Sequence, residues 1–147
     1  KDLADCKGKT LATDHADDVR FVDKVVFGGK ATLSDFTVVV TQRPMQTIKK
    51  VLRGEAECAL VDDAQLAEIG HVEGGSSLTT TWKSDKLPPM AVVAFPSASS
   101  SERAAFQSSL SKLCEGEGKA TCGEAGIQAL KSASDADYAA ALSAYGK

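Results

Sequence analysis

Side chains that could contact a ligand occur at three places where an apolar segment gives way to a helical pattern. They are Thr13, Asp14 and His15, then Gln42, Arg43 and Met45, and finally Asp62 and Asp63. In α/β domains, ligands usually gather at the carboxyl ends of parallel strands, where residues placed in this way would meet. We therefore predict a ligand-binding groove formed by these eight residues.

The charges of this predicted groove suit two kinds of small ligand. The Arg43 guanidinium offers a bidentate clamp for an oxyanion, although a surface arginine near a turn would give the same sequence. Asp14, Asp62 and Asp63 would instead attract an amine or a metal ion, where a phosphate would be repelled. The residues alone leave both ligand classes open.

Neither catalysis nor a bound metal or cofactor is predicted. The chain contains no G-x-S-x-G elbow, no G-x-G-x-x-G and no P-loop pattern. Asp62 and Asp63 are sequence neighbours that a strand end can point in different directions, which makes them poor partners for acid–base chemistry. His15 with Asp14 and Met45 could offer ligand atoms to a transition metal, but their spacing matches no standard metal site.

The four cysteines predict two disulfides. None lies in a C-x-x-C pair, and their spacing fits no zinc site. Cys114 and Cys122 flank a flexible loop that a bridge would close. Cys6 precedes the first predicted strand and Cys58 starts a later one, so parallel pairing of those strands would bring the two sulfurs to one edge of the sheet. Disulfides favour an extracytoplasmic location; the alternative is four reduced cysteines in a cytosolic protein.

The hydrophobic pattern predicts an α/β fold. Strands alternate with helices in the first half of the chain, which indicates a parallel sheet wrapped by helices in a three-layer arrangement. Two later strands, one of them antiparallel, would give a mixed sheet of about five. Strands are predicted at about 9–13, 36–42, 58–61, 78–82 and 90–95. Helices are predicted at about 19–26, 45–52, 63–69, 100–113, 124–131 and 135–145.

Composition and charge narrow the partners. The formal charge is −3, and neither sign runs in a block, so no nucleic-acid partner is expected. No apolar run approaches the roughly 20 residues of a membrane-spanning helix, and the sequence does not open on a signal-peptide pattern. At 147 residues and 43% hydrophobic, the chain can bury one core. We expect one soluble domain over residues 1–147, processed or excised from a longer chain.

Several segments, in order along the chain, carry a resemblance to a known family. They are DLADCKGKTLA at 2–12, RGEAECALVDD at 53–63, LPPMAVVAF at 87–95 and DADY at 135–138. Together they resemble one lobe of a type II periplasmic solute-binding protein, of the phosphate/phosphonate group that serves ABC transporters. The resemblance implies a periplasmic-binding-protein-like lobe that binds a small ligand without catalysis, outside the cytoplasm, with a second lobe or another protein as partner.

The first strand-to-helix loop departs from this resemblance. The family would place an anion cradle rich in Ser, Thr and Gly there, whereas the loop at 13–18 reads TDHADD and keeps only Thr13. A carboxylate at that position takes up donors and repels phosphate. Asp14, Asp17 and Asp18 could also simply complement the dipole of the following helix. The alternative function is therefore an interaction or sensor domain that keeps the fold and has lost its small ligand.

Overall fold

The computed structural model describes residues 2–124 and 127–146. They fall into two compact units, one comprising Lys1–Leu87 with Ala140–Lys147 and the other Pro88–Ala139. The single-domain organisation over residues 1–147 stays a prediction.

The first unit contains a three-stranded parallel sheet in the order β2-β1-β3. The strands are β1 (Thr10–Thr13), β2 (Thr37–Val40) and β3 (Cys58–Ala59). β1 is central because it pairs with both other strands, and its last three residues, Leu11, Ala12 and Thr13, are all buried. Burial on both faces is typical of a strand in a parallel sheet covered by other elements. The parallel α/β organisation of the first half of the chain is thus confirmed.

Three short helices follow the strands of this unit. They are α1 (Val19–Phe21), which continues as a π-helical turn over Val22–Val26, α2 (Pro44–Leu52) and α3 (Asp63–Glu68). The Asp18 carboxylate accepts the Phe21 N–H and caps α1. α2 buries Ile48, and the chain leaves its end through Gly54 at φ +70°, a backbone conformation that glycine adopts without strain.

The core of the first unit is aromatic and is crosslinked. Phe27 is 1% exposed, and its ring centroid lies 5.8 Å from that of Phe36 and 5.7 Å from that of Trp82. Cys6 and Cys58 form a disulfide against the same cluster. Parallel pairing of Leu11 with Cys58 brings the two cysteines together, as the sequence predicted.

The second unit is helical. α4 (Ser100–Ser109) and α5 (Gly118–Glu124) lie within it, and α6 (Asp135–Gly146) begins there. Ser99 caps α4 and forms the predicted capping box with Glu102. Cys114 and Cys122 form the second predicted disulfide. Large apolar side chains of this unit are exposed, including Met90 at 83% and Phe95 at 78%.

The prediction of five strands is wrong, because the described residues form only the three parallel strands. Segments 78–82 and 90–95 have no strand assignment, and no antiparallel strand is present in the described chain. Apolar, β-branched segments favour extended backbone, but a strand also needs a partner to pair with, which a local pattern does not specify. Trp82 of the first segment packs into the aromatic core without joining the sheet.

One predicted helix is also misplaced. The pattern predicts a helix over 124–131, whereas α5 ends at Glu124 and residues 127–131 are not helical. Residues 125 and 126 lie outside the described part of the chain. The observed helix α5 lies earlier in the chain than the predicted one and includes Cys122, which is bridged to Cys114.

No helix among the described residues is long and apolar enough to cross a membrane.

Candidate functional site

The candidate site lies where the central strand ends. Thr13, the last residue of β1, is fully buried, and its hydroxyl oxygen accepts the backbone N–H of His15 at 3.0 Å. This local bond turns the chain immediately after the strand. The turn leaves the side chain of Asp14 only 14% exposed, at the carboxyl edge of the sheet.

The Asp14 carboxylate accepts hydrogen bonds from two distant parts of the chain. The side-chain amide of Gln65 in α3 lies 3.1 Å from both carboxylate oxygens. The hydroxyl of Thr47 in α2 lies 3.5 Å from Oδ1. Asp14 therefore ties the end of β1 to α2 and α3 and does not act as a cap on α1, which uses Asp18.

A capping box orients Gln65. The Asp62 carboxylate accepts the Gln65 backbone N–H at 2.7 Å, and the Gln65 side-chain oxygen accepts the Asp62 N–H at 3.3 Å. With its oxygen used in this way, the amide nitrogen is free to donate to Asp14. Because Gln65 is 4% exposed, its orientation is set by protein groups.

A second chain of bonds reaches Asp14 through two buried hydroxyls. The oxygens of Thr41, just after β2, and Thr47 lie 2.6 Å apart. Each hydroxyl has one proton, so when Thr47 donates to Asp14, Thr41 must donate to Thr47. Thr41, Thr47 and Gln65 thus present side-chain donors in the direction of Asp14.

His15 stands beside this cluster without joining its hydrogen bonds. Its Nε2 lies 3.7 Å from Asp14 Oδ1, within ion-pair range but too long for a hydrogen bond. That nitrogen is buried and has no hydrogen-bond partner among the described residues. The rest of the ring reaches solvent, since the side chain is 40% exposed.

The other predicted site residues make no described hydrogen bond to Asp14. Gln42 and Arg43 are exposed, and Arg43 precedes α2 without a side-chain capping bond. Met45 is half-buried, and Asp63 is exposed at the start of α3. Asp62 contributes indirectly through the capping box. The eight-residue groove therefore remains a prediction. Thr13 and His15 share one hydrogen bond through the His15 backbone N–H, and the His15 ring only approaches Asp14.

Three residues of the cluster were not among the eight predicted. The Asp-x-x-Gln spacing of a capping box at 62–65 could have identified Gln65. Thr41 and Thr47 gave no comparable signal, since a threonine after a strand or in a helix is most simply a local feature. Within residues 2–124 and 127–146, no group of three or more His, Cys, Asp or Glu side chains is arranged to hold a metal ion.

Comparison with known proteins is consistent with this fold. The fold is that of an α/β protein with a parallel sheet and polar residues at the carboxyl end of its central strand. The sequence matches, over residues 1–138, the model of the family described as ABC transporter, phosphonate, periplasmic substrate-binding protein. This chain belongs to that family. A search of curated proteins finds no match.

Proposed function

We propose that this chain is a non-catalytic ligand-binding domain that acts outside the cytoplasm as the solute-binding component of an ABC transporter. Family membership supports the class of protein. The observation that carries the proposal is the buried polar cluster at the end of β1. Polar side chains are costly to bury without hydrogen bonds, and several of them meet at the end of one strand, where α/β proteins usually bind ligands.

The proposed ligand site is the groove of Thr13, Asp14, His15, Gln42, Arg43, Met45, Asp62 and Asp63. Thr47 and Gln65 hold Asp14 in position through hydrogen bonds. It would take a small solute, with the oxyanion and amine classes both represented among its side chains. A transporter and a second lobe are the proposed protein partners. The two disulfides support an extracytoplasmic location, because reducing compartments rarely keep them.

A second candidate is an interaction or sensor domain that keeps the fold without binding a small ligand. One observation favours it: the donors at the strand end are satisfied from within the chain by the Asp14 carboxylate. In that reading the cluster stabilises the junction of β1, α2 and α3, and the partner is a protein.

Thermal unfolding with a panel of oxyanions, amino acids, polyamines and divalent metals separates the two candidates. A ligand at 100 times its Kd adds about 2.7 kcal/mol, which raises the Tm of a domain of this size by several degrees. We expect at least one class to give such a shift, and Thr47→Val to reduce it. Thr47 is fully buried in the cluster.

The matched control is Thr80→Val, which makes the same chemical change at an exposed position. It should leave the ligand-induced shift unchanged. A panel with no shift in the native chain would reject small-ligand binding and favour the interaction domain.

A further inference from the structure

We infer that Asp14 is a specificity-determining residue that acts as a built-in anion. Its carboxylate occupies the position in which the strand-end donors would otherwise hold an oxyanion, so the native groove excludes phosphate and phosphonate groups. This inference rests on the proposed function, since it concerns the same site.

The donors around Asp14 form the kind of set that an oxyanion requires. The Gln65 amide, 3.1 Å from both carboxylate oxygens, and the Thr47 hydroxyl, 3.5 Å from Oδ1, approach from two different helices. With the Asp14 carboxylate in place, both residues are more than nine-tenths buried, and their donors point to Asp14 and not to solvent. An external oxyanion that used these donors would have to displace the Asp14 carboxylate.

The negative charge of Asp14, like its hydrogen bonds, opposes the binding of an external oxyanion. No lysine or arginine of the described residues forms an ion pair with it, and its nearest basic group is His15 at 3.7 Å. The strand-end segments 13–18, 41–45 and 61–63 together carry five aspartates and one arginine. A dianion approaching this edge would meet net negative charge in a partly desolvated place.

A purely structural role makes a different prediction. If Asp14 only ties β1 to α2 and α3, replacing it should lower stability and have no effect on ligand selectivity. If it stands in for an oxyanion, replacement leaves Gln65 and Thr47 as buried donors without an acceptor, and an added oxyanion should restore what was lost. Recovery of stability when an oxyanion is added to an Asp14 variant therefore distinguishes the two roles.

The test measures the Tm of the native chain, Asp14→Ser and Asp14→Ala in chloride buffer and in the same buffer with inorganic phosphate or methylphosphonate. Asp14→Ser clears the space of the carboxylate. Asp14→Ala clears the same space without adding a hydroxyl, and guards against a serine variant that does not fold. Asp17→Ser is the matched control, because Asp17 is an exposed carboxylate of the same loop.

We expect both Asp14 variants to melt below the native chain in chloride and to gain about 3 °C or more at about 10 mM phosphate or methylphosphonate. The native chain and Asp17→Ser should gain less than about 1 °C, since their donors remain occupied. Isothermal titration with phosphate should give a measurable Kd for Asp14→Ser and none for the native chain, whose donors are occupied by Asp14.

An oxyanion-induced shift in the native chain would overturn the inference and leave the proposed function standing. Folded Asp14 variants that gain no oxyanion binding would overturn it as well. In that case, a native chain that binds another member of the ligand panel keeps the proposed function, and a native chain that binds nothing loses both.

Discussion

Residues 2–87 and residues 88–139 use apolar side chains in opposite ways. In the described chain, the buried apolar side chains all lie between Cys6 and Ala56, around a sheet and an aromatic cluster. The second segment instead exposes Met90, Val92 and Phe95 and is organised by helices and their caps. The comparison shows that one segment is held by contacts between distant residues and the other by local bonds.

The disulfides repeat this contrast. The bridge between Cys6 and Cys58 joins residues 52 positions apart, whereas the bridge between Cys114 and Cys122 joins residues 8 apart. A long closed loop restricts the unfolded chain more than a short one. Stability should therefore be lost mainly by changes within the first segment.

The largest effect should come from Phe27→Ala, which tests whether the aromatic cluster holds the first segment. Phe27 is 1% exposed, and replacing a buried phenylalanine by alanine costs about 3–5 kcal/mol. Phe95→Ala is the matched change in the second segment, where the side chain is 78% exposed; it should cost less than about 0.5 kcal/mol. Urea unfolding followed by circular dichroism measures both, and equal losses would break the comparison.

The two disulfides provide the next test. Replacing Cys6 and Cys58 together by serine should lower the free energy of unfolding by about 4 kcal/mol, from the entropy of a 52-residue loop. The same change at Cys114 and Cys122 should cost about 2.5 kcal/mol, because that loop spans 8 residues. Thermal unfolding of each double variant under oxidising conditions shows which of the two losses in stability is larger. A larger loss at Cys114 and Cys122 would contradict the assignment of long-range stabilisation to the first segment.

The smallest effect should come from the cap of α4. Ser99→Ala removes the hydroxyl that accepts the Glu102 N–H and should weaken this helix by about 1 kcal/mol. Ser108→Ala, near the other end of α4, is the control. Circular dichroism measures the helix content of both variants. If Ser108→Ala lost as much helix content as Ser99→Ala, the capping box would not be the feature that stabilises α4.

The same variant has a second readout in the pKa of Glu102. That pKa is held below its usual value by the Ser99 hydroxyl first and by the Ser99 backbone N–H second. Ser99→Ala should raise it, and NMR titration of the carboxyl resonance would show the change. Because the folded-state pKa is the lower one, this stabilisation is present at neutral pH and is lost as acid protonates Glu102.

The sequence predicts the sheet and helices between residues 9 and 69 well because their signals are local and repeated. Each strand is followed by a helix with a recognisable start or stop, such as Pro44 or Gly54, and alternation of this kind fixes a parallel sheet. The position of Cys6 and Cys58 relative to neighbouring strands then predicts their bridge. Segments 78–82 and 90–95 have the composition of strands, but composition does not supply a pairing partner.

The sequence predicts only part of the candidate site. Thr13, Asp14 and His15 are found because they follow a strand, which is a local property. The role of Asp14 depends on Gln65, which is 51 residues away, and on Thr47. An acidic residue before a helix predicts a favourable dipole interaction, and only the tertiary structure shows that its carboxylate turns to other helices.

The central position of β1 has a consequence for the order in which this chain folds. β1 is synthesised before both of its partners and pairs Thr10 with Thr37 and Leu11 with Cys58, so its second neighbour emerges only after α2 has been made. Contacts between residues so far apart form slowly, because the intervening chain must first be closed into a loop. The nascent chain therefore cannot complete its sheet until the segment through β3 has been made.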